Sequence, residues 1–193
     1  MKMETENKPS LEELIQQEEA ANRRSWYEWA EALVIAMMVV AIISSCLFRV
    51  VGVSGNSMAN TLHHGDSLLM ANGFYSDPTY GDIVVVRKNG GEPLIKRVIA
   101  MEGDVISIDA EEETVYLNGE KLDEPYIRDV TPALYGFTGP YTVPEDCVFV
   151  MGDNRSDSHD SRDLDNIGAV HKDEIMGKAV FRIWPPASFG SVQ

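Results

Sequence analysis

The alternation of apolar and polar positions changes character near residue 48. Ala32 to Phe48 reads ALVIAMMVVAIISSCLF, 17 positions without a charge, which is the short end of a membrane-spanning helix. Trp26, Tyr27 and Trp29 come just before it, where aromatic side chains suit a membrane interface, and starting at Trp29 with Glu31 snorkelling gives a comfortable span over 29–48. Upstream, SLEE at Ser10 to Glu13 is a capping box followed by good helix formers, predicting a short helix up to Arg24 within a polar tail, residues 1–28. After the run, helical signals give way to short β-rich stretches punctuated by glycine and proline: SLLMA, DIVVVRK, LIKRVIA, DVISI, TVYLNG, CVFVM and KAVFRIW. Asn118-Gly119 marks a tight hairpin. The pattern predicts a mainly β fold over 49–193, barrel-like or built of two packed sheets, with a smaller inserted β subregion at about 104–144.

The apolar run begins too far into the chain for a removable signal peptide, and CLFRVVGV at its end holds no A-x-A cleavage pattern. An uncleaved anchor is expected. Arg23 and Arg24 precede it and Arg49 follows, so the positive-inside rule puts the N-terminus in the cytoplasm and residues 49–193 outside. Composition then narrows the partners. The net charge is −15, and the part after the run carries 12 Lys and Arg against 23 Asp and Glu, which argues against a nucleic-acid partner. Cys46 and Cys147 are too few for a disulfide framework and are expected to be unpaired. His63, His64, His159 and His171 show no metal-ligand spacing, so neither metal nor cofactor is expected.

Three stretches carry candidate chemistry. In SGNSMANTL, glycine and asparagine permit a tight backbone that exposes the Ser57 hydroxyl, although a lone serine there is usually just a turn residue. His63 and His64 follow within seven positions and fit a solvated turn better than a catalytic base. Lys96 sits inside the strand-like PLIKRVIA; pointing inward, it would lose its charge more readily, because burial disfavours the ammonium. A free lysine is only about 0.4% neutral at pH 8, whereas a pKa lowered by ~2 makes roughly 30% neutral, enough to serve as a base for a serine. Facing outward, it would be an ordinary edge-strand lysine. The third stretch, MGDNRSDSHDSRD from Met151 to Asp163, is polar directly after an apolar strand, and reads either as a brace for a site or as a solvated loop whose charges pair among themselves.

Together these segments resemble the bacterial type I signal peptidases, the membrane-anchored serine–lysine endopeptidases that remove signal peptides from exported proteins. SGNSMANTL resembles the nucleophile box, GDIVVV the strand after it, IKRVIAMEGD the lysine box and GDNRSDSHDSR the late loop, and the likeness runs from the anchor to FRIWPP. Lysine rather than histidine in the second box is similar to the bacterial form, and 39 positions between Ser57 and Lys96 suit its compact members. The resemblance implies Ser57 as nucleophile, Lys96 as general base and Ser158 as the hydroxyl that orients the lysine amine. It implies supporting roles for Asp153, Arg155, Asp160 and Arg162, with the last two pairing. An extended substrate is expected to add as a strand before Ser57 and along Leu94 to Lys96, with Gly55, Met58, Leu62, Leu94 and Ile95 at shallow pockets for small side chains. FRVVGV, directly after the run, is expected to keep the site near the bilayer surface. Partners are then exported preproteins with A-x-A-like cleavage sites and membrane lipid. An impaired relative that only binds signal peptides is the alternative.

Two positions depart from the family pattern. Asn60 stands where the box normally has proline, which is expected to cost some rigidity after the nucleophile. Gly55 stands where some relatives place a hydroxyl in the oxyanion hole, leaving that task to the Ser57 backbone N–H.

Overall fold

The computed structural model describes residues 11–72, 75, 77–87 and 91–192. The chain divides into two compact units, residues 1–45 and 46–193. Helix α1, Leu11–Leu47, is continuous, where the sequence predicts a short tail helix and a separate anchor. Neither glycine nor proline occurs from Leu11 to Val51, so no residue interrupts the backbone hydrogen-bond ladder. The Ser10 cap lies outside the described residues. Within α1, Trp26–Leu47 has a mean hydropathy of 2.3 and none of that stretch is buried, giving a helix long and apolar enough to cross a membrane.

The second unit is β-rich. Its strands are β1 (Phe48–Gly52), β2 (Ser67–Ala71), β3 (Ile83–Val86), β4 (Leu94–Met101), β5 (Val105–Asp109), β6 (Thr114–Leu117), β7 (Glu120–Lys121), β8 (Tyr141–Thr142), β9 (Cys147–Met151), β10 (Val170–His171), β11 (Ile175–Trp184) and β12 (Gly190–Ser191). Among the described residues they form an eight-stranded antiparallel sheet in the order β1-β2-β11-β3-β4-β9-β10, with β12 on β11, and a four-stranded sheet β7-β6-β5-β8. Every strand predicted from sequence has its counterpart here, though the end of DIVVVRK at Lys88 lies outside the described residues. The hairpin at Asn118-Gly119 joins β6 to β7 with both residues at positive φ, 54° and 83°, the backbone that a tight two-residue turn requires.

The large sheet curls because its ladders slip. Register shifts interrupt β11 against both β2 and β3, and β4 against β9, and each extra residue bends its strand. Gly177 marks one such place: a Cβ there would lie 2.3 Å from Ala71 O. Curling covers both faces of β3, so that alternate residues feed different cores. Ile83 and Val85 pack with Met58, Leu62, Leu68 and Met70, whereas Val84 and Val86 pack with Val98, Val148, Val150 and Val170. This is why IVVV reads as an unbroken apolar run. A third core, around Ile99, Ile106, Val115, Phe137 and Phe149, lies between the end of β4 and the small sheet.

Candidate active site

The turn after β1 is pinned directly after its serine. Met58 and Leu62 are fully buried in the first core, and backbone bonds Ala59 N to Asn56 O (2.9 Å) and Leu62 N to Met58 O (2.8 Å) tighten the chain between them. Ser57 is left half-buried at the surface of this turn. Across from it, Lys96 lies on β4, sharing its strand face with Leu94 and Val98 and opposing Val84. Its side chain is 2% exposed. Burial pushes the Lys96 amine down to about 8; Asp160 pulls against that shift and Arg162 adds to it.

Ser57 and Lys96 line one cleft of about 340 Å³. Gly55, Met58, Leu94 and Ile95 also line it. Leu62 does not: it is fully buried in the core, where it anchors the turn and leaves no surface for a substrate. Gly55 has φ +89° with open space where a Cβ would stand, and its N–H donates to His64 Nδ1 at 3.2 Å.

The late loop joins the two sides of the cleft. Asn154 N donates to Ser57 O (3.0 Å) and Asn154 Nδ2 to Asn56 O (3.1 Å), fastening the loop to the serine turn. A Cβ on Gly152 would stand 2.3 Å from both Ser57 O and Ser158 Oγ, so this glycine lets the serine turn and the loop close on each other. On the other side, Arg97, the neighbour of Lys96, gives a two-pronged pair of bonds to Asp153 at 2.8 and 2.7 Å. Asp153 also accepts from Thr61 Oγ1 at 2.5 Å.

Far from being solvated, the loop buries five of its six formal charges, leaving only Asp157 exposed, and Asp153 and Arg155 pair outside the loop. Arg155 donates to both oxygens of Glu124 and to Thr131 Oγ1 (2.7 Å). Asp160 and Arg162 pair with each other at 2.9 Å, while Arg162 also reaches the carbonyls of Pro132 and Arg155. Burial alone would raise the Asp160 pKa, but Arg162, the Ser158 hydroxyl and the Gly152 N–H outweigh it and hold the carboxyl below its usual range. Ser158 Oγ donates to Asp160 Oδ2 at 2.6 Å. Its lone pairs remain available to accept from an amine.

The histidines serve the scaffold. His159 binds Asp163 at 2.6 Å, His171 Nδ1 accepts from Asp173 N, and exposed His63 donates its backbone N–H to Asp66. Among the described residues no group of three His, Cys, Asp or Glu side chains is disposed to hold a metal ion.

A family model described as signal peptidase, peptidase S26, matches residues 26–184. The chain belongs to this family. It is 35% identical over 186 residues to a signal peptidase I of Bacillus licheniformis, covering 88% of this chain and 95% of the relative. Against signal peptidase I S of Bacillus subtilis it is 34% identical over 182 residues, covering 89% and 96%. A crystal structure of a signal peptidase I from Enterococcus faecalis is 29% identical, with a TM-score of 0.41, over 53% of this chain and 96% of that one. The chain is thus a signal peptidase of the serine peptidase class, with a mainly β body and an N-terminal apolar helix.

Sequence reasoning missed several residues of the site. Arg97 carried a signal, being a charge inside an apolar strand beside Lys96. Gly152 and Asn154 lie within the late loop, where sequence alone does not distinguish them from its general polarity. Glu124, Thr131 and Tyr126 carry none, because the residues that tie them to the site, Arg155, Arg97 and Asn60, are more than twenty positions away. The strap they belong to, Glu124 to Pro132, touches the lysine strand as well: the Arg97 guanidinium lies 4.1 Å over the Tyr126 ring.

Proposed function

We propose that this protein cleaves N-terminal signal peptides from exported preproteins through a serine–lysine dyad, with Ser57 as nucleophile and Lys96 as general base. The observation that carries the reading is the shared cleft: a serine on a tight turn and a buried lysine from another strand open onto one space. With its pKa near 8, about half of Lys96 is neutral at pH 8. Neutral Lys96 takes the Ser57 proton as the oxygen attacks the scissile carbonyl. The resulting ammonium then gives that proton to the departing amine, leaving an acyl-enzyme. Lys96, neutral again, deprotonates a water that attacks the ester, and the proton returns to Ser57 as the signal peptide leaves. The Ser57 backbone N–H is read as the donor that stabilises the oxyanion.

Backbone pairing favours substrate binding as an added strand. Among the described residues β1 ends the sheet, paired with β2 alone. β4 pairs with β3 over Leu94–Arg97 but with β9 only over Arg97–Met101, so that among the described residues one backbone edge of Leu94–Lys96 has no strand partner. A peptide between Val51–Val53 and Leu94–Lys96 can use both edges, with Met58, Leu94 and Ile95 restricting the side chains that fit. Small residues in an A-x-A pattern suit such walls. The Trp26–Leu47 helix is read as the membrane anchor, with Arg23 and Arg24 on the cytoplasmic side and the catalytic body, residues 49–193, outside.

The test is to incubate the full-length protein in detergent micelles with a preprotein and sequence the new N-terminus. Cleavage after an A-x-A site, lost in Ser57→Ala, is expected. Stable binding without cleavage would favour the alternative, a relative that only binds signal peptides.

A further inference from the structure

We propose that Asn60 is a positioning residue that locks the Ser57 turn onto the Glu124–Pro132 strap, and that the proline usual at this place in the family would impair this chain rather than improve it. The inference rests on Ser57 being the nucleophile. Asn60 has φ +101°, a backbone region closed to proline, whose ring fixes φ near −65°. Asparagine is among the residues that tolerate positive φ. The rigidity that sequence comparison finds missing is supplied by the side chain instead: Asn60 Nδ2 donates to Tyr126 O at 2.7 Å, across 66 positions of sequence.

That carbonyl belongs to a well-held segment. Tyr126 carries Arg97 over its ring, and its hydroxyl binds Glu124 at 3.0 Å. Glu124 in turn receives both prongs of the fully buried Arg155. Pro132 O accepts from Arg162, and Thr131 is buried against Arg155. The strap therefore touches the lysine strand through Arg97, the late loop through Arg155 and Arg162, and the serine turn through Asn60. Thr61, the next residue, adds a second tie through Asp153 to Arg97. Asn60 is three residues from Ser57, so rotating its peptide shifts the hydroxyl relative to Lys96, and sub-ångström displacement at a reacting atom is costly in rate.

Three variants separate the two properties of Asn60. Asn60→Gly keeps the positive φ and removes the amide; Asn60→Asp keeps the shape and turns a donor into an acceptor facing a carbonyl; Asn60→Pro removes both. Each is purified full-length and assayed for kcat, KM and Tm on a preprotein, with Ser57→Ala as control. Asn60→Gly and Asn60→Asp are expected to lower kcat about three- to tenfold, the worth of a hydrogen bond, with KM within about twofold. Asn60→Pro should lose on the order of a hundredfold. The split between kcat and KM is what a purely structural role would not produce. If Asn60→Pro matches or exceeds the wild-type kcat, or Asn60→Gly and Asn60→Asp leave kcat unchanged, the inference is overturned while the dyad stands. Cleavage surviving in Ser57→Ala overturns both.

Discussion

The two faces of β4 bury one cation each, and to the same degree: Lys96 and Arg97 are adjacent and each 2% exposed. Their surroundings differ completely. Arg97 is matched by both oxygens of Asp153, by Gly81 O at 2.8 Å and by the Tyr126 ring. Lys96 shares its strand face with Leu94 and Val98 and opposes Val84, and although Asp160 is near enough to act on its charge, no carboxylate among the described residues forms an ion pair with it. A guanidinium with its fork filled stays charged and fastens one strand to a loop. An ammonium buried without such partners is pushed toward the neutral form, down to about 8. Burial is therefore not what separates a structural cation from a base. The partners are, and within one strand the fold supplies them to one neighbour and withholds them from the other.

The sharpest way to break this contrast is to remove Arg97. Arg97→Met leaves Asp153 buried without its counter-charge and should destabilise the β unit by about 3–5 kcal/mol, measured by denaturant unfolding in detergent. Lys96→Met should do the opposite. The folded protein resists protonating this amine, so the cost of burying its charge is fully present below about pH 8 and fades as pH rises toward the ordinary lysine value of 10.5. The inactive Lys96→Met variant should thus gain about 1–3 kcal/mol at pH 7 and progressively less above pH 8. An unchanged or lowered stability at pH 7 would mean that the ammonium is well compensated. The smallest expected effect is at Ser158. Ser158→Ala removes a hydroxyl fixed by Asp160 and free to accept from Lys96, so activity should fall about tenfold with KM little changed. Complete loss would assign that serine a reacting role.

The sequence disclosed the fold where side chains follow a single rule. Runs such as IVVV and CVFVM are apolar at every position because both of their faces are covered, and Asn118-Gly119 announces its turn by backbone need alone. It disclosed less where the rule is mixed. β1 is exposed along nearly its whole length and follows the apolar helix directly, so Phe48 reads as the end of a span rather than the start of a strand. β8, β10 and β12, two residues each, have no periodicity to read. In the site, the motif residues stood out, but their partners did not. Local spacing invites pairing within GDNRSDSHDSR, which holds for Asp160 and Arg162; Asp153 and Arg155 instead reach 56 and 31 positions away. Asn60 in place of proline reads as a loss in the motif because a motif records residue identity, while the bond to Tyr126 O links positions far apart in sequence.

Whether Lys96 works as a neutral base can be read from the pH dependence of kcat/KM for the full-length protein. With a neutral lysine base, log kcat/KM rises with unit slope at low pH and levels off through an apparent pKa near 8, and Lys96→Arg, which stays charged at every accessible pH, is inactive throughout. A profile that is flat from pH 6 to 10, with Lys96→Arg retaining turnover, would contradict it and leave Lys96 a second structural cation beside Arg97.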